Sequence, residues 1–140
     1  MEPRISMIGL GVQDLVKSKA FYEKLGWQAS ERSNENIVFI PLNGICICLY
    51  NMEKLAEDAQ LPFQELNAFR GCTLAHNCRS KEEVKQHFQQ AIAAGAKVLK
   101  EPQNTFWGGY GAYFSDLDGH VWELAYNPFI ELDEMGHLVF

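Results

Sequence analysis

A few side chains in this sequence have the types and spacing to do chemistry. Glu123 lies between Trp122 and Leu124 in an apolar run. A carboxylate is costly to place there without a partner, so it reads as a ligand, a general base or an orienting group. The plainer alternative is a strand carboxylate that is paired or partly solvated. His76 stands two residues after Leu74 and four after Cys72, which puts all three on one face of a strand. Its imidazole is a candidate general base or a displaced metal ligand, or else a histidine that hydrogen-bonds a neighbouring strand. Cys46, Cys48 and Cys72, with the Met7 thioether, are soft donors of the kind that take Cu(I) or Zn. Free cysteine is also among the most buried residue types, so the same residues read first as small apolar fillers. Trp107-Gly108-Gly109-Tyr110 precedes a strand, and its aromatics, with Tyr50 and Leu74, could line a ligand site. They could equally anchor a turn that the glycines permit. His87 falls on a polar helix face, His120 at a hairpin tip and His137 in the tail, and none is given a role. No glycine-rich phosphate loop, nucleophile elbow or paired-cysteine zinc motif is present.

The elements that must position these groups come twice. Ile5–Val12 alternates like a strand, with Ile8, Leu10 and Val12 on one face. Asp14 is the expected N-cap of a helix whose buried stripe is Leu15, Ser18, Tyr22 and Leu25, widened by Phe21 and stopped by Gly26. Trp27–Ser33, Asn36–Leu42 and Ile45–Tyr50 are strand-like, and Asn43-Gly44 is a hairpin turn. The stretch 51–70 is polar, with a helical patch over Glu53–Ala59, and reads as a linker. Then the order repeats. Cys72–Cys78 is a strand, Ser80 to Glu83 a capping box, and Val84, Phe88, Ala91 and Ile92 a buried helical stripe ended by Gly95. Ala96–Lys100, Tyr110–Ser115 and Val121–Tyr126 are strands, the last two joined at Asp118-Gly119. The spacing therefore predicts one α+β domain over 1–140 made of two βαβββ modules, 5–50 and 71–127, with a linker at 51–70 and a tail at 128–140. Two such modules would form a curved mixed sheet around a concave cup. The tail ends in Leu138-Val139-Phe140 and is expected to dock on the domain or on a second subunit.

Composition narrows the partners. The 140 residues are 47% hydrophobic and 21% charged, which suits a packed globular chain rather than a disordered one. A net charge of −6 without a basic cluster argues against nucleic acid. No apolar run nears the roughly 20 residues of a membrane helix, and no signal peptide is read at the N-terminus. Cytoplasmic location and four reduced cysteines are the expectation.

Two stretches carry a resemblance. Val12-x-Asp14-Leu15-x-x-Ser18-x-x-Phe21-Tyr22-x-x-x-Leu25-Gly26-Trp27 is the first, and Tyr113-Phe114-x-Asp116-x-Asp118-Gly119-His120-x-Trp122-Glu123-Leu124 the second. With the linker and second strand-helix pair between them, the chain resembles the vicinal oxygen chelate superfamily along nearly its whole length. That group includes glyoxalase I (lactoylglutathione lyase), the bleomycin resistance proteins and the extradiol dioxygenases. Trp107-Gly108-Gly109-Tyr110 and Trp122-Glu123-x-x-x-Asn127-Pro128 make it similar to glyoxalase-like members in particular. The resemblance implies a small-molecule site in the cup and a homodimer. In metal-dependent members it also implies a divalent metal, held by histidine and carboxylate ligands on the first and last strands of each module. The matching positions here are Met7, Cys48, Cys72 and Glu123, opposite the helix-facing Ile8, Leu49, Thr73 and Leu124. Only Glu123 is of the usual ligand type. Two functions follow as expectations: a lyase- or isomerase-type enzyme working through Glu123, or a metal-free protein that sequesters its ligand as bleomycin resistance proteins do. A third is an assembly or regulatory module.

Overall fold

The computed structural model describes residues 1–63 and 69–139; the linker positions 64–68 and Phe140, part of the expected tail, lie outside them. The chain divides into two compact units, Met1–Arg70 and Gly71–Phe140.

In the first unit, β1 (Met7–Val12) leads into α1 (Leu15–Lys24), followed by β2 (Ile37–Pro41), β3 (Cys46–Asn51) and α2 (Met52–Asp58). Asp14 caps α1, its carboxylate accepting from the Lys17 amide at 3.0 Å. The helix carries the chain back so that β1 lies parallel to β3, and the Asn43-Gly44 turn folds β2 antiparallel onto the other edge of β3. Leu10, Val12, Val38, Ile40, Ile47 and Leu49 are buried with Phe21 and Tyr22 of α1. One expected strand does not form a regular ladder. Within Trp27–Ser33, the Ser30 amide donates to the Phe39 carbonyl at 2.7 Å, while the Ser33 hydroxyl accepts from the Phe39 amide at 2.9 Å. Asn34 then takes the Asn36 and Ile37 amides. Side-chain hydrogen bonds replace the ladder in this polar stretch. Trp27 instead stacks on Tyr22, with ring centroids 5.7 Å apart.

The second unit holds β4 (Leu74–Asn77), α3 (Lys81–Ala94), β5 (Lys97–Asn104), β6 (Tyr110–Ser115), β7 (Val121–Tyr126), and a short tail hairpin of β8 (Glu131–Leu132) and β9 (Leu138–Val139). The main sheet runs β4-β7-β6-β5, with β4 parallel to β7. Ser80 caps α3 by accepting from the Glu83 amide at 3.1 Å, and Glu83 reaches back to the Arg79 amide. Gly95 ends the helix at φ 113, a left-handed angle that suits glycine. Val84, Phe88, Ala91 and Ala94 bury against Ala112, Phe114, Trp122 and Leu124. Ala94 completes this stripe, while Ile92 stays half-buried. β4 starts two residues later than expected, leaving Cys72 and Thr73 exposed ahead of it. The tail docks on its own unit: the Arg79 guanidinium donates to the carbonyls of Leu132, Asp133 and Glu134 at 3.3, 2.6 and 3.3 Å. All four cysteines are free, and no helix among the described residues is long and apolar enough to cross a membrane.

Candidate functional site: the Glu123 row

Residues paired across a sheet point to the same face, so register decides which side chains meet. Glu123 pairs with Ala75 of β4 on one side and Tyr113 of β6 on the other. Tyr113 pairs in turn with Lys100 of β5. The row Ala75–Glu123–Tyr113–Lys100 therefore crosses all four strands on the face opposite α3. Its last member depends on an irregularity. Val98 pairs with Phe114, so a regular ladder would set Leu99 opposite Tyr113; a register shift between Val98 and Lys100 puts the lysine there instead.

The row is joined by short contacts. The Tyr113 hydroxyl donates to Glu123 Oε1 at 2.6 Å, a charge-assisted bond. Lys100 Nζ lies 5.7 Å from the centre of the Tyr113 ring. The bond to Glu123, helped by burial and by the carboxylate charge, pushes the Tyr113 phenol up to about 12. Tyr113 is thus held as a proton donor. One carboxylate oxygen of Glu123 is fixed by it, and the other can take a proton from a bound molecule.

The remaining expected residues are distributed differently. Leu74 pairs with Trp122 and His76 with Leu124, so both face α3, away from Glu123. Ala75 is in phase with Glu123, which overturns the expected placing of His76 on the Glu123 face, while Cys72 lies ahead of β4 and outside its ladder. The reason is parity: a one-residue difference in register turns every side chain over. Tyr110 also lies on the α3 side. Its hydroxyl donates to the Pro102 carbonyl at 3.1 Å, and Lys81 and Lys85 sit over its ring. Trp107 is exposed in the β5–β6 connection, with its ring over Gly109. A Cβ on Gly109 would overlap that ring and come within 2.7 Å of the Tyr126 carbonyl, so the glycine is required by the turn. In the first unit Met7 pairs with Cys46, and Cys48 pairs with Gly9 and Phe39; Tyr50 falls on this same face, opposite Ile8 and Leu49. Met7 is exposed, Cys48 is buried, and burial pushes the Cys48 thiol up.

These placements decide what the row could hold. Beside Glu123 stand a methyl group and a protonated phenol, and one strand further, beside Tyr113, an ammonium. This donor set does not fit a hard divalent ion, which needs further anionic or imidazole ligands and is repelled by lysine.

Sequence reasoning missed Tyr113 as the partner of Glu123, and Lys100 as the neighbour of Tyr113. It also missed a second grouping: His76, Cys78 and His87 have their ligand atoms within 4.8 Å of one another. The signal for that grouping was the His76-x-Cys78 alternation directly ahead of a capped helix.

Comparisons with known proteins agree with this architecture. The profile of the Glyoxalase/Bleomycin resistance protein/Dioxygenase superfamily matches residues 4–124. A glyoxalase-related enzyme from Fulvimarina pelagi is similar at 32% identity and a TM-score of 0.88, covering 99% of this chain and 98% of its own. A glyoxalase/bleomycin resistance protein/dioxygenase family enzyme from Burkholderia phytofirmans PsJN is similar at 25% identity and a TM-score of 0.76, covering 86% and 96%. A search of curated proteins finds no significant match.

Proposed function

The chain belongs to the glyoxalase/bleomycin resistance protein/dioxygenase superfamily, and from that premise we propose that it is an enzyme moving a proton on a small carbonyl compound bound over Glu123. The observation that carries this reading is the 2.6 Å bond from Tyr113 to Glu123, with Lys100 next in the row. Glu123 takes a proton from the carbon beside the substrate carbonyl. The electron pair of that C–H bond moves onto the carbonyl oxygen, where the Lys100 ammonium offsets the developing charge. Tyr113 holds the carboxylate in one orientation. In an α-hydroxy carbonyl compound, the hydroxyl proton passes to the enolate oxygen and Glu123 returns the carbon proton to the former carbonyl carbon, which makes the step an isomerisation; departure of a β-substituent with its bonding electron pair makes it a lyase reaction. The relative described as a glyoxalase-related enzyme supports an enzymatic rather than an assembly role. No step is routed through a metal, because the donors around Glu123 do not suit one.

The test is hydrogen exchange. Small α-hydroxy and α-keto carbonyl compounds are incubated with the protein in D2O and read by mass spectrometry. Deuterium uptake is expected for at least one compound class. Glu123→Gln should reduce it roughly 10²–10⁴-fold, the usual range for a general base. Tyr113→Phe should reduce it less, because the carboxylate remains. Uptake unchanged in Glu123→Gln would overturn the proposal. Saturable binding without exchange would also reject it, in favour of the sequestering alternative.

A further inference from the structure

We propose that His76, Cys78 and His87 form a binding site for a zinc ion, on the α3 side of β4 and separate from the Glu123 row. Their ligand atoms all lie within 4.8 Å of one another. Cys78 Sγ is 3.8 Å from His87 Nδ1, and the two imidazole rings meet edge to face with centroids 5.1 Å apart. In a tetrahedral zinc site, bonds of about 2.3 Å to sulfur and about 2.0 Å to nitrogen set sulfur and nitrogen about 3.5 Å apart. The observed trio is within about 1.5 Å of that arrangement, a difference that small side-chain rotations can close. Two imidazoles and a thiolate are the donor types that zinc takes.

The backbone holds the trio from two directions. His76 is in β4, and the Cys78 amide extends the same ladder by donating to the Ala125 carbonyl at 2.7 Å. His76 and Cys78 therefore project to one face. His87 comes down onto that face from α3. Glu83 is one helical turn before His87, and its negative charge acts on both His76 and Cys78. That charge favours a cation at the site, but the carboxylate is held by the Arg79 amide at 2.6 Å, so the open fourth position is left to water.

The first unit shows that the fold does not require polar residues here. His76 and Cys78 stand four and two residues before the N-cap Ser80, and His87 seven after it. The same offsets from the N-cap Asp14 fall on Leu10, Val12 and Phe21, all buried. One unit fills the strand–helix junction with hydrocarbon, and the other puts three metal donors at the equivalent positions. Of the three, only Cys78 is buried, so the histidines leave the site open to an ion from solvent. Zinc takes cysteine as the thiolate, so binding releases the thiol proton and should tighten as pH rises.

The test uses the full chain, stripped of metal by chelator and titrated with Co2+ as a spectroscopic probe, then with Zn2+. One ion per chain is expected, with a thiolate-to-cobalt charge-transfer band in the near ultraviolet that Zn2+ abolishes. Cys78→Ser should lose the band. His87→Gln, at a less buried position, should weaken Zn2+ binding by at least about tenfold. Cys72→Ser and Glu123→Gln should leave band and stoichiometry unchanged. Absence of the band in the wild type, or an unaltered band and affinity in both Cys78→Ser and His87→Gln, would overturn the proposal.

Discussion

Gly9–Cys48–Phe39 in the first unit and Ala75–Glu123–Tyr113 in the second occupy the same three ladder positions. In each, the last strand of the sheet contributes the middle residue. A small residue flanks it on the parallel side and an aromatic residue on the antiparallel side. The differences are a thiol exchanged for a carboxylate and a phenyl ring exchanged for a phenol. Those changes turn an apolar row into a hydrogen-bonded one. On the opposite face the contrast runs the same way: Leu10, Val12 and Phe21 against His76, Cys78 and His87. The repeated scaffold is carried by hydrocarbon in both halves. Polar chemistry has been placed on both faces of the second sheet without changing the plan of the fold.

The comparison breaks most visibly if the two scaffolds do not bear load alike. Phe88 and Tyr22 both sit eight residues after their N-caps, at 1% and 0% exposure. Phe88→Ala should cost about 3–5 kcal/mol, the usual range for emptying a buried aromatic site. Tyr22→Ala should cost a similar amount. Urea unfolding followed by tryptophan fluorescence measures both. A large loss at one position and a negligible one at the other would show that the halves are alike in outline only.

The sharper half of the comparison concerns the row itself. The Tyr113 phenol, held up at about 12 by Glu123, should return towards 10.0 in Glu123→Gln. Phe39→Tyr would introduce a phenol opposite Cys48, where no carboxylate stands, and that phenol should titrate near the ordinary value of about 10. Tyrosinate absorbance against pH, with Tyr113→Phe as the difference reference, reads each. The sign for stability follows. Between about 10 and 12 the unfolded chain loses this proton while the folded chain keeps it. The stabilisation is therefore complete below pH 10 and is lost as pH rises towards 12. A Tyr113 that titrates unchanged in Glu123→Gln would remove the distinction between the two rows.

Most of this scaffold was legible, because local chemistry specifies it: apolar alternation in β1, Asp14 and Ser80 as caps, Asn43-Gly44 as a hairpin, Gly95 as a stop. The site was legible only as far as Glu123. A two-residue turn at Asp118-Gly119 would have paired Tyr113 with Leu124. The actual loop is longer, because the Asp116 carboxylate accepts the amides of Asp118 and His120 at 3.0 and 2.8 Å. That loop moves the register by one residue and sets Tyr113 opposite Glu123. The bulge that delivers Lys100 is equally invisible in the alternation of Lys97-Val98-Leu99-Lys100. The trio at β4 was missed for another reason. His87 has polar neighbours along its helix, and only the packing of α3 on the sheet brings it to Cys78.

The smallest expected difference lies at the two helix starts, and pH separates it from everything else. Ser80→Ala removes a hydroxyl that accepts from the Glu83 amide, and should cost about 1 kcal/mol. A hydroxyl does not titrate in the acid range, so that cost should be the same at neutral pH and at about pH 3. Asp14 caps by a carboxylate, which its bond from the Lys17 amide holds below the ordinary 3.8. A carboxyl depressed on folding stabilises above its unfolded value and loses that contribution as pH falls through its folded one. Asp14→Ala should therefore destabilise at neutral pH and progressively less on acidification, while Ser80→Ala should not change. Urea midpoints at the two pH values compare the caps directly. An Asp14→Ala penalty that persists undiminished in acid would mean that the first helix depends on the shape of its cap residue rather than on its charge.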